Sequence, residues 1–139
     1  MNSINVFTYG TLQLPAVMQA VTGMSYPYVP ASLDNFARYK LRNRIYPGIV
    51  PCPGSRVEGV VYCSVNHESL MKLDAFEDTL YQRSQVEINI GSGNCSAEVY
   101  IVAEDFLDLL TSRDWDIEKF TELHLHRYLK GCERFYQTL

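Results

Sequence analysis

At 139 residues, 47% of them apolar and with a net charge of −4, the chain is long enough for one well-cored domain over residues 1–139. It is also too acidic for nucleic acid to be its default partner, because phosphate binding needs clustered Lys and Arg. No segment approaches the ~18 apolar residues of a membrane span, Met1–Asn5 lacks the basic and apolar regions of a secretory leader, and Cys52, Cys63, Cys95 and Cys132 stand far apart without a C-x-x-C pair. Neither zinc spacing nor a disulfide framework is therefore expected, and the expectation is a cytoplasmic protein with reduced thiols, no membrane partner and no metal.

In chain order, Asn5–Tyr9 reads as a strand, and Pro15 suits the first position of a short helix over Ala16–Val21 closed by Gly23. Ser25–Ser32 holds Pro27 and Pro30 and has no period, so a loop is expected there. Phe36–Leu41 and Ile45–Val50 read as extended, Pro51–Ser55 as a turn and Val57–Ser64 as a strand, with the segments flanking that turn expected to form a hairpin. Asn66 fits a helix N-cap, with Val65 and Leu70 at the staple positions, for a helix running to about Phe76. Strands near Arg83–Ile90 and Ser96–Val102 flank the turn Gly91–Asn94. A short helix over Glu104–Leu110 follows. Asp114 or Asp116 then caps one last helix to about Phe135, whose apolar side carries Ile117, Phe120, Leu125, Tyr128, Cys132 and Phe135. Strands in the middle with helices at the edges predict an α+β fold with a mostly β core.

Two features carry chemistry. Glu77 ends the helix of Leu73–Phe76, where the helix dipole, Asp74 and Asp78 would each raise its pKa, while Arg83 would lower it. A raised pKa suits a carboxylate to exchange protons near neutral pH; the bland alternative is a solvated surface glutamate. The second feature is Tyr9-Gly10-Thr11-Leu12, a glycine turn at a strand end that can aim free backbone N–H groups at an anion, though a plain turn has the same sequence. Together they suffice for acyl transfer without a metal or a side-chain nucleophile. Arg38, Lys40, Arg42 and Arg44 alternate along an extended segment and would share one face, either simply solvated or guiding an anionic small molecule. His124 and His126 lie two apart on the expected helix and so diverge; His124 falls on the apolar side as a hydrogen-bonded core residue and His126 in solvent.

The ordered set Val6–Leu12, Tyr46–Pro51, Val57–Tyr62 and Leu73–Glu77 with Tyr81-Gln82-Arg83 resembles the gamma-glutamylcyclotransferase-like superfamily. Within it the chain is most similar to the branch of plant avirulence-induced-gene-like proteins and gamma-glutamylamine cyclotransferases. The resemblance implies a small mixed β-barrel with flanking helices and a pocket at the barrel end. It implies Tyr9, Gly10, Thr11 and Leu12 as the substrate-binding loop, Glu77 as acid/base, and Tyr46 and Tyr100 as pocket lining. The implied reaction needs no cofactor: the α-amine of a small-molecule γ-glutamyl substrate attacks its own γ-carbonyl, releasing 5-oxoproline and an amine. The loop would hold either the oxyanion or the substrate carboxylate. Two other readings use the same fold: a non-catalytic module that binds a small molecule or a protein, and another chemistry on γ-glutamylated natural products.

Overall fold

Alternation of apolar side chains along five strands decides the architecture. In the computed structural model, which describes residues 4–139, the strands are β1 (Ile4–Thr8), β2 (Tyr28–Lys40), β3 (Pro47–Val65), β4 (Tyr81–Asn89) and β5 (Asn94–Val102). They close into a barrel in the order β1-β3-β2-β4-β5. β1 runs antiparallel to β3 and parallel to β5, and the remaining pairs are antiparallel. The seam between β2 and β4 is thin, paired in register at Ser32 and Asn89. Met1–Ser3 lie outside the described residues.

Successive residues on a strand face opposite ways, so one barrel serves two cores. Phe7, Val61 and Val99 pack with Leu33, Ile49 and Ile88 in one cluster. Their neighbours Val6, Tyr62 and Tyr100 pack instead with residues of the helices α1 (Pro15–Thr22), α2 (His67–Glu77) and α4 (Leu125–Gln137). Pro15 opens α1 and Gly23, at φ 78°, closes it in the left-handed conformation that glycine adopts freely. Asn66 caps α2 by accepting the Ser69 N–H at 2.8 Å. Short 3-10 turns cover Thr11–Gln13, Asp78–Leu80 and Glu104–Leu109. All four cysteines are free thiols. Among the described residues no helix is long and apolar enough to cross a membrane.

Four sequence expectations are corrected. The loop expected over Ser25–Ser32 gives way to β2, which begins at Tyr28; Pro30 is accommodated because Tyr28–Ala31 pair with β3 alone. The hairpin expected across Pro51–Ser55 is instead one long strand, β3, both halves of which run along β2. The register jumps from Phe36–Pro51 to Asp34–Arg56, so Cys52–Ser55 bulge outward. Gly54 at φ 86° and Asn35 at φ 67° supply the curvature, and the Asn35 side chain accepts the Gly54 N–H at 3.1 Å. The single last helix is two, α3 (Ile117–Leu123) and α4, broken at His124 (φ −127°). That break lets the apolar side of α4 lie across α1 and α2; His124 sits half-buried at the bend, its ring 6.3 Å from that of Phe120. Asp116 caps α3, whereas Asp114 is held by Arg38 at 2.8 Å. Finally, the four alternating cations do not share one strand face, because β2 stops at Lys40 and Asn43, at φ 58°, turns the chain before Arg44.

Candidate active site

A cavity of about 450 Å³ opens at one end of the barrel, within the size range of small-molecule sites. Several elements meet there: the turn after β1, the β2–β3 connection, the end of α2 with its 3-10 turn, β5, Phe106 and Tyr128 of α4. Tyr9, Gly10, Thr11, Leu12, Tyr46, Glu77 and Tyr100 all line this one cavity.

The turn after β1 is held by its carbonyls. The Tyr9 carbonyl accepts from Arg38 Nη1 at 2.8 Å and the Leu12 carbonyl from the Tyr62 hydroxyl at 2.6 Å. Between them, the Gly10 and Thr11 carbonyls accept the N–H groups of Gln13 and Leu14 at 3.0 and 3.1 Å. In a trans peptide the N–H points opposite to the preceding carbonyl. Anchoring the carbonyls of Tyr9, Gly10 and Thr11 therefore directs the N–H groups of Gly10, Thr11 and Leu12 away from those anchors. Among the described residues, none of these three N–H groups donates in the turn and cap hydrogen bonds. Gly10 is required by close approach: a Cβ there would lie 2.9 Å from Pro47 Cδ. Its φ of −123° is not in the left-handed region, so the constraint is space rather than backbone angle.

Glu77 is the last residue of α2. The next residue, Asp78, takes φ 56° and ψ −153°, a conformation that non-glycine residues adopt only under constraint and that recurs at functional sites. The chain turns there into the 3-10 segment that forms the cavity edge. Glu77 has no ion-pair partner among the described residues. Burial pushes its carboxyl up to about 8. This corrects the expected causes. Asp74 faces the barrel wall instead, accepting from Arg83 Nε at 2.8 Å and from the Tyr100 hydroxyl at 2.7 Å. Arg83 binds Asp74 and Glu98 rather than Glu77.

Neutral phenols complete the wall. The Tyr9 hydroxyl donates to the Tyr100 carbonyl and the Tyr81 hydroxyl to the Pro47 carbonyl, both at 2.5 Å. The Tyr128 hydroxyl lies 3.0 Å from Thr11 Oγ1. The pKa values of Tyr9, Tyr81, Tyr100 and Tyr128 all rise, first through burial, with the Glu77 charge adding to each. They therefore stay uncharged and give Glu77 no counter-charge. Arg44 is the one cation among the residues lining the cavity. Tyr81, Phe106 and Tyr128 were missed as lining residues by the sequence reading; the signal available for Tyr128 was its place on the apolar side of the last helix. Among the described residues, no group of at least three His, Cys, Asp or Glu side chains is placed to hold a metal ion.

A family described as gamma-glutamyl cyclotransferase, AIG2-like, matches residues 6–117. The chain is 30% identical to AIG2-like protein D of Arabidopsis thaliana, over 97% of this chain and 90% of that protein. The solution structure of another Arabidopsis thaliana protein superimposes with a TM-score of 0.74 at 29% identity, covering 96% of this chain and 82% of that one. A structure named gamma-glutamyl cyclotransferase shares the fold with a TM-score of 0.67 at 18% identity, over 95% of this chain and 87% of that one.

Proposed function

The chain belongs to the family of AIG2-like gamma-glutamyl cyclotransferases, and from that premise we propose that it releases 5-oxoproline from a γ-glutamyl amine, peptide or isopeptide, with Glu77 as general acid and base. The observation that carries this reading is the pairing of a buried carboxylate without an ion-pair partner and a turn with undonated N–H groups in one cavity.

The substrate's α-amine enters as an ammonium, which cannot attack. A carboxylate titrating at about 8 is close enough in basicity to the substrate's α-amino group to exchange a proton with it near neutral pH. The freed nitrogen attacks the γ-carbonyl carbon and closes the five-membered ring. Both reacting groups belong to one molecule, so holding the substrate folded supplies much of the acceleration. The N–H groups of Gly10, Thr11 and Leu12 are donors for the α-carboxylate and for the negative charge that develops on the γ-oxygen. The attacking nitrogen sheds a second proton as the ring closes, the carbon–nitrogen amide bond breaks, and both protons pass one after the other by way of Glu77 to the leaving nitrogen, which departs as an ammonium. The protons shed by the ammonium are those gained by the leaving nitrogen, so none is drawn from solvent. The phenol wall lines the rest of the space and provides apolar ring faces.

The test is mass-spectrometric detection of 5-oxoproline from γ-glutamyl amines, dipeptides, glutathione and isopeptides. Release from at least one compound is expected, with no release once its α-amine is acetylated. Silence across the whole panel with folded protein would favour a binding module, and turnover of an N-acetylated substrate would rule out this cyclisation.

A further inference from the structure

Arg38, on β2, lies behind the turn that follows β1 rather than in the cavity lining, and its guanidinium ties three parts of the chain together. Nη1 donates to the Tyr9 carbonyl at 2.8 Å. Nε and Nη2 donate to the two carboxylate oxygens of Asp114, at 2.8 and 3.3 Å. The guanidinium carbon lies 5.7 Å from the centre of the Trp115 ring. That ring is buried and fixed through its indole N–H to the Ile45 carbonyl at 2.8 Å. Asp114 also takes the Trp115 N–H at 2.7 Å. Asp114 and Trp115 belong to a strap after the barrel, joined to the end of β2 where the Arg113 carbonyl accepts the Lys40 N–H at 2.7 Å. The outer side of this strap lines a depression of about 330 Å³ beside Arg44. The Arg38 side chain is 20% exposed and that of Asp114 65%, so the guanidinium is the sheltered partner. An exposed pair of this kind does little by itself. Here the same guanidinium reaches past Asp114 to a main-chain carbonyl of the substrate-binding turn.

We propose that Arg38 is a positioning residue for the reaction: from behind the turn it fixes the Tyr9–Gly10 peptide and strengthens the Gly10 N–H as an anion donor, without touching the substrate. The inference rests on the cyclotransferase reading of the cavity. Two effects act through this one peptide. The peptide is planar, so a carbonyl held from behind leaves its N–H pointing the other way. A carbonyl that accepts a charged hydrogen bond is also polarised, which makes the N–H of the same peptide a stronger donor. The carbonyls that orient the Thr11 and Leu12 N–H groups are held from within the turn, by Gln13 and Leu14. The carbonyl that orients the Gly10 N–H is held by a side chain from another strand. Asp114 and Trp115 set the angle of that side chain, one by a two-pronged bond and the other by its ring. Lysine cannot replace it, because a single ammonium lacks the planar fork that serves Asp114 and the carbonyl together. The strap after the barrel thus acts on the turn after the first strand.

The experiment uses Arg38→Met, Arg38→Lys and Asp114→Asn, with Arg56→Met as control. Arg56 also pairs with two acids, Asp34 and Glu58, but away from the cavity. For 5-oxoproline release, kcat/KM should fall roughly 10- to 100-fold in both Arg38 variants, on the scale of one misplaced donor. Asp114→Asn should fall by less, and Arg56→Met should match wild type. Folded protein is checked by thermal melts, and Asp114→Asn keeps the test available if an Arg38 variant does not fold. In ¹⁵N-labelled protein the Gly10 amide nitrogen should move upfield in both Arg38 variants, as its peptide loses polarisation, while the Gly54 and Gly91 amides stay in place. Titration with acetate then separates this inference from the reaction. The Gly10 amide of wild type should shift with acetate, and that response should be lost in Arg38→Met and retained in Arg56→Met. Loss of the response in Arg38→Met, with no 5-oxoproline from wild type, would reject the reaction and keep the positioning role. An equal acetate response in wild type and Arg38→Met, no response in wild type, or wild-type kcat/KM in Arg38→Lys would overturn the role.

Discussion

Two sides of the last turn of α2 meet opposite surroundings. Asp74 faces the barrel wall, where Arg83 and the Tyr100 hydroxyl satisfy it and Glu98 shares the same guanidinium. Glu77, three residues on, faces a wall of neutral phenols and has no ion-pair partner among the described residues. The first carboxylate ties helix to sheet; the second is held by the backbone and left chemically free. Sequence spacing alone does not separate them, because both are acids on one helix. The partners supplied by β4 and β5 do.

The largest effect should come from Glu77→Gln, which keeps the shape and removes the exchangeable proton. Turnover should fall by roughly 10²–10⁴ with an unchanged circular dichroism spectrum, and normal turnover on a confirmed substrate would end the assignment. Gly10→Val is the next most severe. Its side chain would collide with Pro47 and displace the turn, and a shift of about 1 Å in such a site is worth on the order of 10² in rate. Single-turnover kinetics on folded protein measure it.

The difference between the two carboxylates also has a pH signature. In the unfolded chain Glu77 titrates near 4.5 and in the folded protein near 8. Between those values the folded state holds the proton more tightly, so its stability falls as pH rises, by ~1.4 kcal/mol per unit. Glu77→Gln removes that penalty. Thermal melts of the two proteins should agree below about pH 4 and diverge upward, with the variant the more stable at pH 9. In the same window kcat/KM of wild type should climb with pH as the carboxylate form appears, a limb absent from the variant. The smallest effect belongs to Asp74→Asn. Its side chain is 41% exposed, so solvent screens the ion pair and the loss should be about 1 kcal/mol, read as a fall of roughly 3–5 °C in Tm. A far larger loss of turnover than of stability would mean that Asp74 acts in the reaction.

Much of this was legible in the residues themselves. The Asn66 cap, the Gly23 stop, the β4–β5 pair and the place of Glu77 at a helix end all follow from local rules, and their bounds moved by a residue or two. What escaped was long-range. Whether Pro51–Ser55 reverses the chain or bulges depends on β2 running beside both halves of β3, and no local signal states that. The source of the raised Glu77 pKa escaped for the same reason: burial is contributed by residues as distant as Tyr9 and Tyr128, while Asp74 is turned to the barrel wall. The depression beside Arg44 is built from two stretches far apart in sequence, residues 40–45 and 113–124, so the alternating cations showed only one of its edges.

The parallel pairing of β1 with β5 sets a timetable for synthesis. Val6 opposes Tyr62 on one side and Glu98 on the other, so the first strand to leave the ribosome is flanked by the third and by the last. Until the chain has been made through Val102, the barrel cannot close and the apolar side chains of β1 lack a permanent cover. Contacts this distant in sequence slow folding and prolong the exposure of sticky segments. The newborn chain is therefore most vulnerable to aggregation while its middle is being translated, and a pause in translation before β5 would lengthen that interval.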